Sequence, residues 1–215
     1  MVDIHPPQGP IHSFKDFSLH LLTVILGILI ALSLEGLIEW RHHRALAGEA
    51  RSNLTAEMRH NRELLVGGLA AAPDAERRLK STIEVIEAYR KNHRDDRTSK
   101  VDWSFGLFAL SGTAWSTAAS SGALGYMDYS EVQIYTRTYL LQEQFLVLQQ
   151  NTFGKWLDLQ KWAARSDHNN SLSNLKDEEL SEIENEAGAA LVHTQAEESV
   201  AQALVQQYAK MLGEK

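Results

Sequence analysis

Phe17-Ser18-Leu19-His20-Leu21-Leu22-Thr23-Val24-Ile25-Leu26-Gly27-Ile28-Leu29-Ile30-Ala31-Leu32-Ser33-Leu34 contains no formally charged side chain. A helix needs roughly 17–25 apolar residues to cross the hydrocarbon core of a bilayer, so this run reads as a transmembrane span at the short end of that range. Its alternative reading is a buried helix of a soluble protein. Such helices usually keep a polar face, whereas only Thr23 and Ser33 interrupt the aliphatic surface of Leu21–Leu34. Both hydroxyls can return to the backbone of the preceding turn. A cleaved signal peptide fits poorly, because one Lys precedes the run and Glu35, Glu39 and Trp40-Arg41-His42-His43-Arg44 follow it where a small-x-small site belongs. Trp40, Arg41 and Arg44 suit an interfacial anchor at the end of the span.

The rest of the 215 residues is polar. The expected organisation is a surface tail over 1–16, a transmembrane helix over 17–40 and a soluble helical domain over 41–215. Only four Pro occur, three of them before residue 11, and the content of Ala, Leu, Glu, Gln and Arg favours helix. The fold class is therefore all-α, with one N-terminal transmembrane helix continuing into a soluble antiparallel helical bundle. Periodicity, caps and breakers place helices at about 41–67, 74–92, 111–122, 130–165 and 176–212. Gly67-Gly68 and Pro73 are expected to end the first of these, and Ser130-Glu131-Val132-Gln133 has capping-box spacing. Trp103–Leu110 is short and apolar; it suits a buried helical turn or a strand, and is read as helical.

Absence of Cys removes disulfides and thiolate chemistry. A net charge of −7 with no basic stripe argues against a nucleic-acid binder. Glu39/His42 and Glu57/His60 each have the Glu-x-x-His spacing of carboxylate-bridged metal sites. They lie 18 residues apart on one predicted helix, roughly 27 Å at helical rise, and each is flanked by Arg. They are weak metal candidates, better read as a solvated stalk face. His20, near the start of the span, is a headgroup-level residue before it is a cofactor ligand. No nucleophile elbow or phosphate loop is present, so no catalytic residue and no cofactor is assigned, and enzymatic activity is not expected. Glu178, Glu179, Glu182, Glu184 and Glu186 read as a solvated charge run.

Thr23, Gly27, Ala31 and Glu35 recur every four residues and put small side chains on one face, where another helix can approach in lipid. With Trp103, Trp115, Trp156 and Trp162 on a polar scaffold, this suits a membrane-anchored scaffold or accessory subunit. Its partners would be the bilayer and either itself or other membrane subunits. A membrane-tethered ligand-binding sensor is the alternative, and a metal-dependent enzyme stands behind both.

Two stretches carry a resemblance: Val24-Ile25-Leu26-Gly27-Ile28-Leu29-Ile30-Ala31-Leu32 followed by Glu39-Trp40, and Thr113-Ala114-Trp115-Ser116-Thr117-Ala118-Ala119-Ser120-Ser121-Gly122-Ala123-Leu124-Gly125-Tyr126-Met127 before a Tyr-rich helix. Together they resemble uncharacterised bacterial single-span inner-membrane proteins with a helical domain of unknown function. The resemblance implies a bacterial inner-membrane location and no activity. On orientation the two arguments differ. Arg41, Arg44 and Arg51 against Lys15 favour a cytoplasmic body, while the resemblance favours a periplasmic one.

Overall fold

The computed structural model describes residues 14–92, 106–163 and 175–214. Within them are helices α1 (Phe14–Asn92), α2 (Thr113–Ser120), α3 (Tyr129–Ala163) and α4 (Asp177–Leu212), with a 3-10 turn over Ala123–Tyr126 and no strand. The chain divides into two compact units, one ending at Glu49 and the other beginning at Ala50, and α1 contributes to both. Residues 1–13 of the tail expected over 1–16, and Trp103, lie outside the described residues, while Phe14–Asp16 already belong to α1.

The first unit is the apolar helix. Every described residue from Phe14 to His42 is exposed, including Leu19 at 65% and Ile38 at 70%. This helix is long and apolar enough to cross a membrane, and none of its most apolar window is buried. A core helix of a soluble protein would be covered. The hydroxyls of Ser18, Thr23 and Ser33 donate to the carbonyls of Phe14, Leu19 and Leu29 at 2.9, 2.9 and 2.6 Å, so they present no unpaired donor.

The second unit is organised by three seams. In α4 the buried residues are Leu180, Ile183, Ala187, Ala190, Thr194, Glu197, Ala201, Leu204 and Tyr208, alternating steps of three and four. In α3 they include Thr138, Gln142, Phe145, Gln149, Thr152, Trp156 and Leu159, on the same alternation. That is the heptad rule for knobs-into-holes packing. The α3 and α4 seams meet in reverse chain order, Thr138 with Gln207 at one end and Lys161 with Glu186 at the other, so these helices are antiparallel. α1 supplies Leu54, Met58, Asn61, Leu65, Leu79, Thr82 and Ile86. At one end Leu79 and Ile86 join Trp156, Leu159, Trp162, Leu180 and Ile183 in a single apolar cluster.

Four expectations are corrected here. The helix predicted to end at Gly67-Gly68 and restart at Pro73 is unbroken. Positions 61, 65, 68, 72, 75, 79, 82 and 86 keep the heptad alternation across the expected break, so burial on both sides holds the turn together. Pro73 sits off the seam and exposed, where its missing N–H leaves only the Leu69 carbonyl without an intrahelical donor. Gly106–Leu110 is not helical. At the start of α3, Val132 N–H bonds the Asp128 carbonyl at 3.0 Å, which puts Asp128 at the cap and Ser130 inside the first turn. Glu131 instead holds Arg51 through two bonds of 2.8 Å. Finally, part of the acidic run is paired between helices. Glu184 accepts from Arg90, and Glu186 from Lys161 and the Trp162 indole at 2.7 and 2.8 Å. By contrast Gly213 ends α4 in the left-handed region at φ 69°, with Glu214 N–H closing back on the Ala209 carbonyl at 2.9 Å.

Candidate functional site

Three core side chains fix the non-helical segment before α2 by substituting for the backbone partners it lacks. Asn61, fully buried, donates to the Ser111 carbonyl at 2.7 Å and accepts from Ser111 N–H at 2.9 Å. Gln142 donates to the same carbonyl at 2.9 Å and accepts from Asn61 at 3.2 Å and from the Tyr208 hydroxyl. The Gln149 amide, oriented to match both its polar atoms, donates to the Phe108 carbonyl at 3.1 Å and accepts from Phe108 N–H at 3.0 Å. Buried backbone groups need such partners. A half-satisfied network in this setting would be worse than an apolar core.

Glu57 completes the anchorage. Its carboxylate accepts from the Ser111 hydroxyl at 2.6 Å, from Ala114 N–H at 2.9 Å and from the Tyr139 hydroxyl at 2.7 Å. It thereby caps α2, whose N-cap residue Gly112 has no side chain to do so. Burial, with the Glu57 carboxylate beside it, pushes the Tyr139 phenol well above its ordinary range, so it stays a donor. Tyr139 also stacks on Trp115, with ring centroids 5.2 Å apart. The residue considered for metal binding is thus committed to the segment, while His60 is exposed. Of the other pair, Glu39 lies 3.8 Å from His43 rather than meeting His42. Among the described residues no group of three or more His, Asp or Glu is gathered for a metal.

Against this fixed segment lies a cavity of about 470 Å³. Its existence follows from side-chain size. At heptad positions 68, 72 and 75 α1 places Gly, Ala and Ala, and opposite them α4 places Thr194, Glu197 and Ala201. Five small residues and one carboxylate cannot fill the space that Leu and Ile fill elsewhere. Leu64, Leu107 and Phe108 complete an apolar wall. The Phe108 ring lies directly on Gly68, where an added Cβ would fall 1.4 Å from Cε1, and tilts against Phe145 with centroids 5.8 Å apart. Gly68→Ala is therefore expected to displace Phe108 and lower stability by about 1–3 kcal/mol. Urea unfolding followed by circular dichroism checks this, with Gly67→Ala, whose added Cβ meets nothing within 4 Å, as the unstrained comparison that should gain about 0.5–1 kcal/mol.

Three charged residues border the cavity: Glu197, Glu198 and Arg78. Glu197 is 5% exposed, and its Oε2 has no hydrogen-bond partner; the same holds for Glu198 Oε1. Burial pushes both carboxyls above their ordinary value. Around Glu197, α3 presents neutral Gln149 and Thr152, α4 presents Glu198, and α1 presents Arg78. A carboxyl raised in the folded state contributes stability at pH below its unfolded value of about 4.5, and that contribution is lost as pH rises through the folded value. Glu197→Gln should accordingly stabilise the protein at pH 8 by about 1–2 kcal/mol, with the advantage vanishing towards pH 4. Thermal melts across that range test the sign.

Thr23, Gly27, Ala31 and Glu35 all lie exposed on the apolar part of α1, with open space around Gly27. Trp40 is exposed and carries the Arg44 guanidinium 5.4 Å from its ring centre, while Arg41 is free of such contact to Trp40 and exposed. The sequence conceals the cavity because Gly67-Gly68 has the local signature of a helix end. The signal that could have found it was a carboxylate, Glu197, at a seam position between Thr194 and Ala201. No protein-family model, curated protein or solved structure matches this chain.

Proposed function

We propose that this protein is a single-span bacterial inner-membrane protein whose helical body works through non-covalent contacts, as a scaffold or accessory subunit assembling with itself or with other membrane subunits. The reading rests on one observation: from Phe14 to His42 the chain forms an apolar helix that exposes every side chain. Such a surface needs lipid or another helix against it. In this reading the later part of α1 packs with α3 and α4 as a bundle, and Trp40, Arg41 and Arg44 sit at the lipid headgroups. The Thr23/Gly27/Ala31/Glu35 face is the one along which a second membrane helix would approach most closely.

Blue-native electrophoresis of the full chain in mild detergent tests the assembly. Wild type should migrate as a discrete species larger than the monomer. Gly27→Leu, which adds four carbons to the close-approach face, should shift it to monomer, and Ile28→Leu should not. A monomeric wild type, or a Gly27→Leu variant assembled as wild type is, would sink the reading.

A further inference from the structure

The cavity beside Phe108 has the size, lining and buried polar group of a ligand site, independently of what the apolar helix assembles with. A pocket of about 470 Å³ compares with the roughly 150 Å³ that takes benzene, so it suits a molecule of about ten to twenty non-hydrogen atoms. Its walls are Gly68, Ala72, Leu107 and Phe108, which match an apolar body and offer nothing to a polyol. The polar exception is Glu197, 5% exposed, with one carboxylate oxygen lacking any partner in the fold. Such an atom is costly to leave unsatisfied, and the fold had a neutral way to fill the position, as Gln142 and Gln149 show one helix away. Glu198 adds a second buried oxygen without a partner on the same rim.

Two carboxyl groups, Glu197 and Glu198, and one guanidinium, Arg78, line the cavity. An anion would meet both carboxyl groups and is disfavoured. A purely apolar molecule would fill the wall and leave the carboxylate oxygen as it is. A ligand that meets every group has an apolar body and a hydrogen-bond-donating cation at one end. We propose that the cavity between α1, Phe108 and α4 binds a compact apolar primary amine, its ammonium group received by Glu197 and its body lying against Phe108 and the Gly68–Ala72 face of α1.

Isothermal titration of the full-length protein in lipid nanodiscs at pH 8, with empty nanodiscs as the blank, tests this with three probes of one shape: phenylbutylamine, phenylbutanol and phenylbutyrate. The amine should bind with a dissociation constant on the order of 1 mM or tighter. The alcohol should bind at least about tenfold more weakly and the carboxylate not measurably. Glu197→Gln, which is expected to fold at least as well as wild type, should weaken the amine by about tenfold or more. Ala72→Phe, which fills the cavity, should abolish it. No binding of the amine, equal affinity for the three probes, or undiminished binding by Glu197→Gln each overturns the proposal.

Discussion

Trp156→Ala is expected to lower stability by about 3–5 kcal/mol, the largest single effect in the body. The side chain is 1% exposed and stands where α1, α3 and α4 converge on Leu79, Ile86, Leu159 and Ile183. Its indole N–H donates to the Thr194 hydroxyl at 3.3 Å. Removing the ring empties a volume that three helices line, and each helix is held apart from collapse by its own seam. The cost includes lost transfer energy and a cavity term, since the surrounding positions can relax only in part. Since domains of this size have roughly 5–15 kcal/mol in total, a urea titration should show the midpoint falling by about a fifth or more. Trp156→Phe keeps most of the volume and should lose about half as much or less.

Asn61→Ala is expected to cost about 3 kcal/mol, by a different route. It strips the Ser111 N–H of its partner, leaves the Ser111 carbonyl with the Gln142 amide alone, and leaves the buried Gln142 oxygen with Tyr208 alone. The effect should be local before it is global. Hydrogen exchange at the Ser111 amide should accelerate about a hundredfold, while amides in the middle of α4, such as that of Ala190, accelerate only by the loss of global stability. Asn61→Asp keeps the acceptor for Ser111 N–H but sets a carboxyl oxygen against the Ser111 carbonyl in a fully buried site, so at neutral pH it should cost at least as much as Asn61→Ala.

The parts of this fold legible in the sequence are those where one local signal decides. The apolar run and the absence of breakers through α3 are of that kind. The error at Gly67-Gly68 and Pro73 came from weighing local signals that a longer-range pattern outvoted. Two glycines and a proline end most helices, but here Asn61, Leu65, Leu79, Thr82 and Ile86 bury on one seam through the interruption, and packing sets helical stability more than propensity does. At Gly106–Ser111 the converse holds. The apolar residues of Trp103–Leu110 suggest a helical turn, yet the backbone of Phe108 and Ser111 is held by side-chain amides of Gln149, Asn61 and Gln142 from distant parts of the chain. Polar residues at seam positions were the visible trace of it. Glu57 shows the same limit: Glu-x-x-His spacing is a property of one helix, whereas its three donors come from Ser111, Ala114 and Tyr139.

The most direct test of membrane attachment is alkaline carbonate extraction of membranes from cells producing the full chain. The account predicts that the protein stays with the sedimented lipid and leaves it only with detergent, and that Leu26→Arg combined with Leu29→Arg shifts it to the soluble fraction by placing two charges at mid-span. Release of the wild-type protein by carbonate alone would contradict the account.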